Sequence, residues 1–269
     1  MAERTAPKRP TIKAVIFDMD GLLINTEDMY TIMTNELLEP YGKKMTWDIK
    51  SQIMGRPAIQ SAELLLTTLD VPITPEKWVS MMQEKQNVAF KRCEPLRGAV
   101  KLVQHLHKNG IDIAIATGST DRNYALKTSH LPHLFSSFPS SRIITANSPE
   151  LSSGRGKPFP DIFEIAARSL GRTSIQVGSG SGLAGALAEG EKDGEGSFGG
   201  GLEEQQRGEV LVFEDGLSGV VAANRAGMPV IWVPDPNLKK DYDNPGADQV
   251  LDSLEDFKPE EWGLPPYSE

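Results

Sequence analysis

Apolar and polar positions fall in blocks along this chain. Five short runs are almost uniformly apolar: AVIF at 14–17, IDIAIA at 111–116, RIITA at 142–146, VLVF at 210–213 and VIWV at 230–233. Most lack the polar alternation of a one-sided sheet, so they read as strands of a parallel sheet covered on both faces. Helical periodicity lies between them. GAVKLVQHLHKNG places Val100, Val103, Leu106 and His107 along one stripe and stops at Asn109 and Gly110. PDIFEIAARSLG repeats the pattern with Ile162, Ile165 and Ala166 before Gly171, and GLSGVVAANRAG ends on Gly227. Strand and helix in alternation predict an α/β fold, a doubly wound parallel sheet of Rossmann-like type.

Residues 28–92 interrupt that alternation with helices and no convincing strand. Ile32, Met33 and Leu37 make a stripe before Gly42, Trp47, Ile53 and Met54 flank a short helix stopped by Gly55, and Pro57 and Pro75 sit at expected first turns. A small inserted α-helical domain is therefore expected over 28–92. It leaves a core of residues 13–27 and 93–269, with crossings near Asn25 and Pro95 that could act as a hinge. Trp78, Met81, Met82 and Val88 are read as the insert's own core. Residues 1–12 read as a loose tail. The Gly-rich stretch 173–209 reads as a disordered surface insertion, because it has few large apolar residues with which to offset the entropy of ordering.

Composition narrows the function classes. Apolar residues make up 39% and charged residues 24% of 269, with a formal net charge of -9. Without a dense basic patch, such a surface would repel a phosphate backbone, so nucleic acid is not an expected partner. No apolar run approaches the ~18 residues of a membrane span. A single cysteine, Cys93, rules out an internal disulfide framework and fits a reducing compartment such as the cytoplasm; a monomer is expected. His105, His107, His130 and His133 show no metal-ligand spacing.

The chemistry concentrates where the apolar runs end. In open α/β sheets ligands bind beyond the carboxyl ends of the strands. After the first run come Asp18 and Asp20, after the second Thr117, Gly118 and Ser119, after the third a loop to Lys157, and after the fourth Glu214 and Asp215. Taken singly, Lys157 is an ordinary surface lysine and Thr117 with Gly118 an ordinary helix start. Taken together, they fit phosphoryl transfer from a small phosphorylated metabolite, the cleavage of a phosphomonoester. Asp18, the first residue past its strand, is the candidate nucleophile and Asp20 the candidate general acid and base. Thr117, Gly118 and Lys157 would hold the phosphate. Adjacent acids call for a hard divalent cation, Mg²⁺, on Asp18, Asp215 and a backbone carbonyl near Asp20, with Glu214 as a further candidate ligand. Gly21 would permit the sharp departure from the first strand.

FDMDG, ATGS, GKPFPDIF and VFEDGLSGV, in this order, resemble the four motifs of the haloacid dehalogenase-like (HAD) hydrolase superfamily, and the helical insert resembles the cap of one of its branches. The resemblance runs from Lys13 to about Pro234, apart from the Gly-rich stretch. It implies a Mg²⁺-dependent phosphatase with an aspartyl-phosphate on Asp18, acid/base work by Asp20 with its carbonyl on the metal, phosphate contacts from Thr117, Gly118 and Lys157, and Asp215 on the metal. Substrate choice would then come from the cap, with Gly55 and Arg56 as candidates. Two alternatives remain open at this level: a sugar-phosphate mutase using the same groups, and a catalytically silent regulatory protein. Asn25 and Phe159 depart from the usual acids of the family pattern.

Overall fold

The computed structural model describes residues 11–54, 58–172 and 208–268. Six strands form one all-parallel sheet: β1 (Ala14–Phe17), β2 (Asp112–Ala116), β3 (Ile143–Ile144), β4 (Val210–Glu214), β5 (Val230–Trp232) and β6 (Gln249–Val250). Their order across the sheet is β3-β2-β1-β4-β5-β6. The five apolar runs each supply a strand, although only two residues of 142–146 pair as β3.

Alternate strand residues feed two separate cores, which is why the runs carry so few polar positions. Val15, Phe17, Ile113, Ile115, Leu211, Phe213 and Ile231 face one cluster, and Ala14, Ile16, Ala114, Ala116, Val212 and Trp232 face the other. The first face is closed by α5 (Ala99–Lys108) and by the C-terminal residues Leu254, Phe257, Trp262 and Leu264. Phe213 packs edge-on to Phe257 with ring centroids 4.9 Å apart and stacks on Phe17 at 5.2 Å. The second face is closed by α8 (Asp161–Ser169) and α9 (Leu217–Arg225). Each large side chain so buried contributes roughly 1.5–3 kcal/mol relative to exposure.

Helices α1 (Thr26–Leu38), α2 (Trp47–Ile53), α3 (Ala58–Leu69) and α4 (Pro75–Ala89) fill the excursion between β1 and β2, and bury an apolar cluster of their own around Leu38, Ile49, Leu65, Leu66 and Trp78. Their two connections run side by side. Asn25 N–H donates to the Glu94 carbonyl at 3.1 Å, the Asn25 side-chain oxygen accepts from Glu94 N–H at 2.8 Å, and Ile24 bridges Pro95. Shorter helices α6 (Asp121–Thr128) and α7 (Pro132–Phe135) follow β2, and α10 (Pro236–Asp241) follows β5.

Several expectations are corrected. Ile32 and Val88 are exposed rather than core residues of the helical segment, at 50% and 59%. On α5 the buried stripe is Ala99, Leu102, Val103 and Leu106, while His107 faces solvent. Ile12, assigned to the tail, is 2% exposed and its N–H donates to the Trp262 carbonyl at 3.0 Å. Glu209, assigned to the Gly-rich insertion, pairs with Lys13 at 2.7 Å. The remainder of both segments, residues 1–10 and 173–207, lies outside the described residues.

Candidate active site

The strand order reverses beside β1: the chain moves from β1 outward to β2 and β3, then returns to β4 on the other side. That is the switch point at which the ends of neighbouring strands open a crevice. Asp18 leaves β1 there, its N–H donating to the Phe213 carbonyl of β4 at 3.0 Å, so strand pairing itself sets Asp18 beside Glu214 and Asp215. One carboxylate oxygen from each of the three lies within 4.8 Å of the others. Gly21 makes the turn with φ +85°, and a Cβ at this position would come within 2.3 Å of Asp215 Oδ2. Only glycine meets both demands.

Glu214 is held from beneath. Its Oε2 accepts the Asp215 N–H at 3.1 Å and the Gly216 N–H at 3.2 Å, at the start of α9. A Cβ on Gly219 would fall 1.8 Å from the Glu214 carboxyl carbon, so this helix lies against the acid only because residue 219 is glycine. Lys157 enters between the acids, bonding Asp18 Oδ1 and pairing with Glu214 Oε1 at 2.5 Å. Its loop is fastened by Arg225 of α9, which donates to the Pro158 carbonyl at 3.0 Å.

One cation does not offset these three acids, of which Asp18 and Glu214 are buried and Asp215 half-buried. Burial pushes the Asp18 carboxyl up to about 7, with Glu214 and Asp20 adding to the rise and Lys157 opposing it. Asp215 is likewise raised by burial and by Asp18 and Glu214. Lys157 is held above its ordinary range because Asp18 and Glu214 outweigh its desolvation. Three converging oxygen donors short of positive charge suit a hard divalent cation, and these residues fit one.

Asp20, one methionine further on, is in different company. Its carboxylate stands outside the three-acid cluster. Oδ1 accepts from Lys127 Nζ at 2.6 Å, and Oδ2 accepts from Ser119 Oγ at 2.8 Å and from Thr117 Oγ1 at 3.3 Å. Burial would raise this carboxyl, but Lys127 and Ser119 outweigh it and hold it below the usual carboxylate value. Both side-chain oxygens of Asp20 are thus engaged away from the three acids, and the sequence expectation places only its backbone carbonyl on a metal.

Thr117 is fully buried, its hydroxyl also accepting the Ser119 N–H at 3.0 Å, so it shapes this cluster from within. Gly118 is exposed and lines a cavity of ≈ 660 Å³ that reaches into the helical segment past Tyr30, Lys50, Trp78, Met82 and Arg122. Trp78 and Met82 therefore serve both the segment's core and the cavity wall, where the sequence suggested core alone. Asp215 is reached from a second hollow of ≈ 590 Å³ that Gly21, Asn25 and Glu27 also line. Gly55 and Arg56, the candidates for substrate choice, lie outside the described residues.

Sequence reasoning missed Lys127 and gave Ser119 no role of its own. Lys127 sits in a short polar helix and reads as a surface lysine, yet its side chain is 1% exposed. Its surroundings come from distant segments: Tyr30 from α1, Phe90 from the end of the helical excursion, and Asp20 from the β1 turn.

Comparison with known proteins agrees with this geometry. The haloacid dehalogenase-like hydrolase pattern matches residues 12–227. The chain is 38% identical over 263 residues to (DL)-glycerol-3-phosphatase 2 of Arabidopsis thaliana, covering 97% of this chain and 95% of that one. It is 35% identical over 254 residues to a Drosophila melanogaster protein named "Probable pseudouridine-5'-phosphatase", covering 94% and 95%. Among solved structures, a HAD family hydrolase from Deinococcus radiodurans R1, with bound phosphate and sodium, superposes with a TM-score of 0.69 at 22% identity, covering 96% of this chain and 100% of that chain.

Proposed function

The chain belongs to the haloacid dehalogenase-like hydrolases, and from that premise we propose that it hydrolyses a small phosphomonoester through an aspartyl-phosphate on Asp18. The observation that carries this reading is the meeting of Asp18, Glu214 and Asp215 within 4.8 Å, with Lys157 between them. Asp18, Asp215 and Glu214, with the Asp20 carbonyl, would hold Mg²⁺, which when bound neutralises the acids and draws charge from the phosphoryl oxygens.

In the first half-reaction an Asp18 carboxylate oxygen attacks phosphorus and the bond to the leaving oxygen breaks. Asp20, once it has taken up a proton against the pull of Lys127, gives that proton to the leaving oxygen, and an alcohol departs. In the second, water attacks phosphorus, its proton passes to Asp20, and Asp18 is freed with release of phosphate. The proton taken from water is the one handed to the next leaving group. Lys157 steadies the negative oxygens throughout. The cavity beyond Gly118 would receive the organic part of the substrate, and the relatives' names point to a polyol or nucleoside phosphate, pseudouridine 5'-phosphate included. A cytoplasmic setting and a monomeric state accompany this reading. Among the described residues, no helix is long and apolar enough to cross a membrane.

The test is phosphate release from glycerol phosphates, pseudouridine 5'-phosphate and hexose phosphates, with Mg²⁺ and with chelator, beside Asp18→Asn. Turnover that needs Mg²⁺ and is lost by at least about 10⁴-fold in the variant is expected. Isomerised hexose phosphate with little free phosphate would make the protein a mutase. Turnover undiminished in the variant would remove Asp18 from its role.

A further inference from the structure

Lys127 is a buried cation that the reaction scheme above does not use. Its side chain is 1% exposed, and its ammonium meets Asp20 Oδ1 at 2.6 Å, Ser119 Oγ at 2.8 Å, the Phe90 ring at 4.4 Å and the Tyr30 ring at 5.5 Å. None of the Asp18, Glu214 and Asp215 carboxylates appears among these partners, and Lys157 already serves that cluster. Desolvating a lysine costs several kcal/mol unless it is paired and hydrogen-bonded. The pairing here is directed wholly at one carboxylate. Ser119 joins the two, donating to Asp20 Oδ2 at 2.8 Å while accepting from Lys127. With Thr117 on Oδ2, Asp20 is restrained at both oxygens.

We propose that Lys127 is a positioning residue for Asp20: through the Lys127–Ser119–Asp20 triangle it keeps this carboxylate aimed beside the Thr117–Ser119 loop and out of the Asp18–Glu214–Asp215 cluster. The inference rests on the phosphatase reading. A carboxylate two residues from Asp18 has a second place to go, because a bound cation would attract it. Four acids crowded on one ion would leave no acid at the leaving oxygen. Lys127 removes that alternative without touching the phosphate.

A purely architectural ion pair would leave chemistry unaltered in whatever fraction folds, so the test must read the chemistry of Asp20. First-turnover rates with Mg²⁺ are measured for an alkyl phosphomonoester, whose leaving oxygen needs a proton, and for p-nitrophenyl phosphate, whose leaving oxygen does not. Wild-type turnover comes first: if neither ester is cleaved, the phosphatase reading falls and this proposal with it.

In Lys127→Met the alkyl ester is expected to slow about 100-fold and the aryl ester less than about threefold, the size expected for loss of general acid help, with KM within about twofold for both. Lys127→Arg should recover part of the alkyl rate. In an Asp20→Asn background, adding Lys127→Met should cause no further loss, because two residues acting through one step are not additive. The double variant also removes both buried charges, so it decides the matter even if Lys127→Met alone does not fold. Equal slowing of the two esters, or losses that add in the double variant, would overturn the proposal.

Discussion

Asp18 and Asp20 are separated by one methionine and live in opposite surroundings. Asp18 shares its space with Glu214 and Asp215, and its carboxyl is pushed up to about 7. Asp20 is met by a lysine and two hydroxyls and is held below its ordinary value. The two sit in different local structure: Asp18 is still paired to β4 through its N–H on the Phe213 carbonyl, whereas Asp20 lies in the following turn, bridged to Ile24. One region is a vessel short of positive charge, suited to taking up a cation. The other supplies its own cation and is complete in the chain itself. The two acids are thus held in unequal environments, with Asp18 the weaker acid and Asp20 the stronger in the metal-free chain.

The contrast should appear first in the pH dependence of folding without metal. Asp18 binds its proton more tightly folded than unfolded, so its stabilising contribution is full below about pH 4 and is lost as pH rises toward 7. By the conversion of about 1.4 kcal/mol per pH unit, the loss reaches up to about 4 kcal/mol. Asp215, also raised, acts in the same sense. Asp20 has the opposite sign, its contribution being present above the ordinary carboxylate value and lost in stronger acid. Thermal unfolding in chelator should therefore fall between pH 4 and 7, and Mg²⁺ should flatten the fall. A flat profile in chelator would mean that burial and the neighbouring acids do not raise these carboxyls.

Substitution at the two positions sharpens the same contrast. Asp20→Asn leaves Lys127 buried without its counter-charge and should destabilise the metal-free protein by about 3 kcal/mol. Asp18→Asn relieves crowding, since Lys157 keeps Glu214, and metal-free stability should hold or rise. Chemical denaturation of the two variants side by side would read this directly. Equal destabilisation would erase the distinction. A smaller effect is expected at Gly219→Ala, where the added Cβ must displace the Glu214 carboxylate. A loss of about 2 kcal/mol is expected, with weaker Mg²⁺ retention. Calorimetric titration of Mg²⁺ into this variant would show whether Glu214 matters to the ion.

Much of the sheet was legible because strands buried on both faces need uninterrupted apolar runs, and AVIF, VLVF and their companions have them. The acid cluster was legible for a related reason: Asp18 and Asp215 follow neighbouring strands directly, so their meeting needs only strand order. β6 was not legible, since Gln249 and Val250 form a two-residue edge with no apolar signature. Phe257 and Trp262 carry no local sign that they close one face of the sheet. Lys127 was hidden for a deeper reason. Its pattern in DRNYALKT is that of a solvated helix, and only the convergence of three remote segments makes it a buried cation.

The bond from Arg225 to the Pro158 carbonyl ties the loop that presents Lys157 to the same helix that shelters Glu214. Cation and acid are thereby mounted on a common bracket although they are far apart in sequence. A shift in how that helix rests on the sheet would carry both partners along together, so the charge balance around Asp18 is buffered against small distortions of the scaffold.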